Sequence, residues 1–252
     1  MPLFFVQGKM DLNDVIEIVG EDAHHIAKVL RMGRGDELKI SNGTDTVCRA
    51  KILEVGPGGK KIKAGIIEKN NFEVKNLHIT LFQGVPKGQK FDFILQKNTE
   101  LGVAEFVPVI TERTVVELDG KKIRNRTERW QKIVIEASKQ CLRPDLPKVH
   151  EPIYFDECLD TFKDYPLVLL PWEKEREIFL KPFLSSLPEK VGKIGVFIGP
   201  EGGFSEDEVK KAREAGAVTV SLGKRILRTE TAGLLVNSVL MYEFGDFGEA
   251  VD

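Results

Sequence analysis

Residues 194–233 read IGVFIGPEGGFSEDEVKKAREAGAVTVSLGKRILRTETAG. Residues 194–198 form an apolar run rich in branched side chains, long enough for one buried strand. The run stops at Gly199-Pro200-Glu201-Gly202-Gly203, where glycine permits positive φ and lets another group approach the main chain closely. Ser205 and Glu208 have the spacing of a capping box. The helix they open runs to about residue 215, and Gly216 is placed to stop it. Residues 217–222 read as a second buried strand, ended by Gly223. Thr229 or Thr231 opens a last helix whose apolar residues run through Leu234, Leu235, Val239 and Tyr242. Open α/β sheets take ligands beyond the carboxyl ends of their strands, and both unusual loops lie there. A glycine-rich turn after a strand is often only a turn. The second loop favours a ligand site: Lys224, Arg225 and Arg228 crowd beside Thr229, Glu230 and Thr231, so groups able to bind an anion or share a proton collect at one strand end.

The same pattern recurs upstream. Residues 77–82 read as a strand, followed by Gly84-Val85-Pro86-Lys87-Gly88, a helix over about 89–101 stopped by Gly102, and a strand at 105–110. That βαβ unit implies parallel pairing, with Lys87 and Lys90 near its carboxyl-end loop. Residues 113–122 are charged and read as irregular. A helix over about 127–141 keeps Trp130, Ile133, Val134, Ala137 and Cys141 at helical spacing. Residues 168–170 make one more apolar strand, ending at Pro171-Trp172-Glu173, and 174–190 read as helical. Trp172 reads as a packing residue, given the area an indole buries.

Residues 1–72 have a different texture and read as a small β-rich domain. Short strands are expected at 4–6, 15–18, 37–40, 46–54 and 61–67, with turn signals at Asn42-Gly43 and Gly56-Pro57-Gly58-Gly59. The latter lacks a following Ser or Thr and a helix, so it reads as a hairpin turn and not a phosphate loop. A short helix at 21–30 carries His24 and His25, which point about 100° apart and do not chelate one metal together; no metal site is expected. Arg31 and Arg34 beyond it suit phosphate contacts. Residues 70–76 are polar and read as the linker to the second domain, 73–252.

At 252 residues the chain has room for one or two domains with a real core. The formal charge of −2 argues against a uniformly basic nucleic-acid binder, but residues 121–148 hold nine basic against three acidic side chains. Cys48, Cys141 and Cys158 have no paired spacing, which fits a reducing compartment and no zinc. No signal peptide and no membrane-length apolar run are visible, so a soluble cytoplasmic protein is expected.

Ile198-Gly199-Pro200-Glu201-Gly202-Gly203-Phe204 and Leu222-Gly223-Lys224-Arg225-Ile226-Leu227-Arg228-Thr229-Glu230-Thr231-Ala232 resemble the two signature loops of the SPOUT-class RNA methyltransferases. Specifically they are similar to the RsmE family, which methylates N3 of a uridine in 16S, small-subunit ribosomal RNA. Residues 25–36 (HIAKVLRMGRGD), 84–102 (GVPKGQKFDFILQKNTELG) and 129–143 (RWQKIVIEASKQCLR) match that family too. The resemblance implies an α/β fold: a PUA-like β-barrel over 1–72 and a SPOUT methyltransferase domain with a deep trefoil knot over 73–252. It also implies a homodimer, S-adenosylmethionine as cofactor, and small-subunit ribosomal RNA, naked or within an assembled 30S particle, as partner.

Under that resemblance the cofactor's adenine lies against main chain of Leu170, Ile198, Leu222, Ile226 and Leu227. Gly199, Gly202, Gly203 and Gly223 leave room for it, and Thr229 joins the contacts. Arg228 would stabilise the uridine anion. Glu201 and Glu230 are candidate bases, each equally readable as a helix N-terminal charge or a salt-bridge partner of Arg225 or Arg228. RNA would lie over Arg31, Arg34, Lys87, Lys90, Lys139 and Arg143. The alternatives are a related enzyme acting on a ribose 2′-hydroxyl or guanine N1, and a non-catalytic RNA-binding module. An NTP-using protein lacks its GxxxxGK[ST] lysine and hydroxyl here.

Overall fold

The computed structural model describes residues 1–8, 10–72, 77–115, 120–188 and 191–248. The chain divides into two compact units, Met1–Val74 with Ser138–Leu146, and Lys75–Ala137 with Pro147–Asp252.

The first unit is built on a five-stranded sheet: β1 (Leu3–Phe5), β2 (Val15–Val19), β3 (Glu37–Ser41), β4 (Thr46–Val55) and β5 (Lys61–Asn71), in the order β1-β3-β4-β5-β2. β1 and β3 are parallel; the other pairs are antiparallel. Alternate residues point to one face, so Ile16, Ile18, Leu38, Ile40, Ile52 and Ile62 gather into one core. α1 (Gly20–His24) continues as a wider turn to Val29 and buries Ala23 and Ile26 against that core. Gly58 and Gly59 have positive φ in the expected turn, closed by the Gly56 N–H donating to Lys61 O at 2.8 Å. Of the expected linker, residues 70 and 71 instead finish β5, and residues 73–76 lie outside the described residues.

The second unit is a parallel α/β structure. Its strands are β6 (His78–Gly84), β7 (Glu105–Ile110), β8 (Lys148–Val149), β9 (Ile153–Tyr154), β10 (Leu167–Pro171), β11 (Lys193–Ile198) and β12 (Ala217–Val220). They run β12-β10-β11-β6-β7-β8, with β9 also on β7. Every pairing is parallel. β6, β10 and β11 are nearly continuous apolar runs because helices cover both faces of such a sheet. The helices are α2 (Lys90–Glu100), α3 (Gly120–Cys141), α4 (Phe155–Asp160), α5 (Leu180–Ser185), α6 (Glu206–Glu214) and α7 (Thr229–Glu243).

Three elements differ from expectation. α3 starts at Gly120, well before the first apolar repeat at Trp130; its opening residues are mostly charged, so periodicity carries no signal there. Residues 116–119 of the stretch read as irregular lie outside the described residues. Within 174–190 only Leu180–Ser185 is helical. The buried Glu175 carboxylate accepts the N–H groups of Arg176, Glu177 and Ile178, which curls the chain into a turn instead. Finally, α7 buries Gly233, Val236, Asn237, Leu240 and Met241, while Leu235 and Tyr242 are exposed. A helix apolar on two faces offers two stripes to choose from. Here Asn237 donates to Asn98 Oδ1 at 2.7 Å, and Asn98 in turn donates to Ile94 O, so this polar pair of α7 and α2 can be buried.

Candidate functional site

β10, β11 and β12 end side by side, and beyond their carboxyl ends lies a cleft of about 480 Å³. One wall is the loop after β11. Gly203 has φ of +66°, a left-handed conformation that costs an ordinary side chain, and its N–H closes a turn on Pro200 O at 2.9 Å. The Thr229 hydroxyl donates to Gly199 O at 2.6 Å and accepts from the buried Gln83 amide at 2.9 Å. Arg113 donates to Gly202 O at 2.6 Å. Phe204 packs on Phe197, and Ser205 and Glu208 form the expected capping box that launches α6. The end of β6, the segment after β7 and the start of α7 therefore all grip one five-residue loop.

The other wall is the segment after β12. The Ser221 N–H donates to Ile178 O and Ser221 O accepts from Leu180, which ties the strand end to the turn organised by Glu175. Burial pushes the Glu175 carboxyl up, but the Thr219 hydroxyl and three backbone N–H groups outweigh it and pull the pKa down to about 2. Beyond Ser221 the loop is open: Ile226 is 83% exposed. Arg228 is the residue before the first turn of α7, where unpaired N–H groups make a partial positive charge.

Most of the expected cofactor residues meet here. Ile198, Gly199, Gly202, Gly203, Leu222, Ile226, Leu227 and Thr229 line the cleft, as do the three candidate catalytic residues Arg228, Glu201 and Glu230. Leu170 is not among the lining residues; its side chain is buried in the core, and the next residues, Pro171, Trp172 and Glu173, line the wall at that strand end. Gly223 is exposed beside the cleft and is not among its lining residues. Trp172 both packs and lines the site; Arg213 lies over its ring at 5.6 Å and its indole Nε1 has no partner.

The two candidate bases are in opposite states. Glu201 accepts from Lys90 Nζ at 2.9 Å and from the Lys87 N–H at 3.1 Å. Burial would raise its pKa, but the Lys90 ammonium and the backbone N–H groups hold it below the usual carboxylate value. Glu230 has one buried carboxylate oxygen, Oε2, with no hydrogen-bond partner.

Arg31 and Arg34 are exposed in the first unit and Lys87 is exposed in the second. Lys139 and Arg143 correct the expected RNA surface. Their side chains are only 13% and 12% exposed, and they pair with Asp22 and Asp145, both at 2.5 Å. The Lys139–Asp22 pair ties the 138–146 segment to the rest of the first unit, the Arg143–Asp145 pair is local, and both cations are engaged by carboxylates. Lys90 is likewise engaged, by Glu201. Among the described residues no group of three or more His, Cys, Asp or Glu is placed to hold a metal ion, and no helix is long and apolar enough to cross a membrane. Gln83 and Arg113 escaped sequence reading. A lone glutamine closing an apolar run before a glycine is the one signal that could have found Gln83; Arg113 gives none.

The cleft suits a neutral nucleoside carrying a cationic sulfonium. Its size fits a small cofactor, its walls offer main chain, and the buried Trp172 Nε1 on one wall has no hydrogen-bond partner. Two family models match the chain: an RNA methyltransferase domain over residues 73–241 and an RNA methyltransferase PUA domain over 18–65. Ribosomal RNA small subunit methyltransferase E of Bacillus subtilis is 38% identical, covering 90% of this chain and 89% of that one. The protein of the same name from Aquifex aeolicus is 34% identical over 88% and 91%. The crystal structure of ribosomal RNA small subunit methyltransferase E from Neisseria gonorrhoeae, bound to S-adenosyl methionine, superposes with a TM-score of 0.86 at 32% identity, covering 98% and 99%. With its PUA domain, its SPOUT-type parallel sheet and matches across nearly its whole length, the chain belongs to the RsmE family of RNA methyltransferases.

Proposed function

We propose that this protein methylates N3 of a uridine in 16S ribosomal RNA, using S-adenosylmethionine held between the loops at 198–203 and 222–229. The observation that carries the mechanism is the contrast of the two carboxylates in the cleft: Glu201 is tied to Lys90 and Lys87, whereas Glu230 keeps an oxygen without a partner. The bound cofactor supplies an electrophilic methyl group on a sulfonium. Glu230 would accept the proton that uridine N3 gives up when that nitrogen takes the methyl group. Arg228 faces the negative charge that builds on the uracil oxygen. Glu201, a weakened base, ties the loop at 84–90 to the loop at 199–203. Main chain around Gly199, Gly202 and Gly203 reads the adenine edge without a charged side chain.

Residues 1–72 serve as the RNA-binding module and 73–252 as the catalytic domain, with Arg31, Arg34 and Lys87 on phosphates; a ribosomal RNA substrate, naked or in a 30S particle, puts the enzyme in the cytoplasm. The deep trefoil knot is proposed from the family, and the parallel order β12-β10-β11-β6-β7 is compatible with it. Exposed Leu235 and Tyr242 on α7 and Phe93 on α2 support a homodimer. Sedimentation should give twice 28.3 kDa; a monomer would remove the dimer.

Mass mapping of 16S ribosomal RNA treated with enzyme and cofactor should find 3-methyluridine. A methyl group on a ribose 2′-hydroxyl or on guanine N1 would overturn the assignment. Glu230→Gln should lower kcat by about 10²–10⁴-fold and leave the cofactor Kd unchanged; an unaltered kcat would remove Glu230 as base.

A further inference from the structure

A second cavity, of about 440 Å³, opens in the same unit as the cofactor cleft, between the loop after β6 and the N-terminal half of α3. Its floor is apolar and fixed. Phe91 and Trp130 are both buried and meet edge to face, ring centroids 4.5 Å apart. Its rim is cationic. Arg129 forks onto both carboxylate oxygens of Asp92 and neutralises that acid. Arg126 has no ion-pair partner among the described residues, and the exposed Asn125 offers an amide that can donate and accept. The two cavities share a boundary. Lys90 lines the first, its neighbours Phe91 and Asp92 line the second, and Glu201 pins the loop between them through Lys90 and the Lys87 N–H.

We infer that this second cavity seats one nucleotide of single-stranded RNA adjacent to the methylated base. Arg126 takes the phosphate, the apolar floor takes the base, and Asn125 reads the base edge. Three features converge on that ligand. The volume of about 440 Å³ lies in the range of small-ligand pockets and leaves room for a nucleotide, base and phosphate together. The open charge is a guanidinium, which matches phosphate in geometry as well as sign. An apolar bed with a polar group at its rim is how proteins hold splayed-out RNA bases. The assignment rests on the RNA methyltransferase reading and deepens it by giving the substrate a second foothold, which fixes the register of the target base at the cofactor.

The chain has two tryptophans, Trp130 in this cavity and Trp172 in the cofactor cleft. A Trp172→Phe protein therefore reports on the second cavity alone. Titration with single-stranded 16S ribosomal RNA fragments should change Trp130 emission, and Arg126→Ala in that background should abolish the change. Inorganic phosphate at the same concentrations should do nothing; an equal response to phosphate overturns the nucleotide assignment in favour of a simple anion site. In the otherwise native enzyme, Arg126→Ala should raise the RNA KM about tenfold and lower the salt slope of RNA binding by about 1, with cofactor Kd unchanged and partial rescue in Arg126→Lys. If the native enzyme methylates RNA while Arg126→Ala and Asn125→Ala keep its KM and salt slope, the cavity assignment fails and the enzyme reading stands. If the native enzyme transfers no methyl group to RNA, the enzyme reading itself fails.

Discussion

The two loops that line the cleft are built in opposite ways. The loop after β11 is gripped from outside by the Thr229 hydroxyl, the Gln83 amide and Arg113, and anchored by buried Phe204. The loop after β12 is tied down at its base through Ser221 and Glu175, then runs out to an Ile226 that is 83% exposed. The first has the properties of a mould: backbone donors and acceptors at fixed positions, suited to recognising a neutral ring. The second carries the charges: Arg225 on its exposed stretch, and Arg228 and Glu230 where it enters α7. Shape and chemistry are assigned to different strand ends, and damage to one should be separable from damage to the other.

The largest effect should come from the chemical side. Arg228→Ala should cut kcat by about 10²–10³-fold with cofactor Kd and Tm near normal. A comparable loss of cofactor affinity would show that Arg228 shapes the cleft and collapse the distinction. Next is Glu175, the anchor beneath the second loop. Its folded pKa lies below its unfolded one, so its contribution is complete above about pH 4.5 and is lost as pH falls toward 2. That contribution is up to about 3 kcal/mol. Glu175→Gln should flatten the dependence of Tm on pH in that window; an unchanged acid limb would contradict the anchor.

The mould should respond through affinity and stability. A Cβ on Gly84 would sit 2.6 Å from Pro200, so Gly84→Ala must push the loop after β11 outward. Overpacking of this kind costs about 1–3 kcal/mol, and cofactor Kd should rise with kcat at saturation less affected. Thr229→Val removes the hydroxyl between Gln83 and Gly199 O at nearly constant volume. About 1 kcal/mol of stability should be lost, with a small rise in cofactor Kd. A large fall in kcat from either change would mean that the mould takes part in the chemistry.

The parts of this division that follow from local chemistry were legible in the sequence. Apolar runs at 194–198 and 106–110 became parallel strands because nothing polar interrupts them, and Ser205 with Glu208 capped α6 because the motif is contained in four residues. Parts that depend on distant partners were not. Glu175 turns the chain at 174–178 because Thr219 and Arg213 arrive from β12 and α6. Lys139 looks like a surface cation until Asp22, 117 residues away, is beside it. α7 presents two apolar faces, and only the buried Asn98–Asn237 bond reveals which one packs on α2. In the cleft, the residue types of both loops were readable, but the state of Glu201 and Glu230 was not, since it depends on whether Lys90 reaches one and nothing reaches the other.

Hydrogen exchange with and without S-adenosylmethionine tests the central claim most directly, because it reads backbone amides. Cofactor should slow exchange in both 198–204 and 222–232, leaving the sheet of the first unit unchanged. Protection confined to one of those loops, or located elsewhere in the chain, would contradict a nucleoside enclosed by main chain of the two.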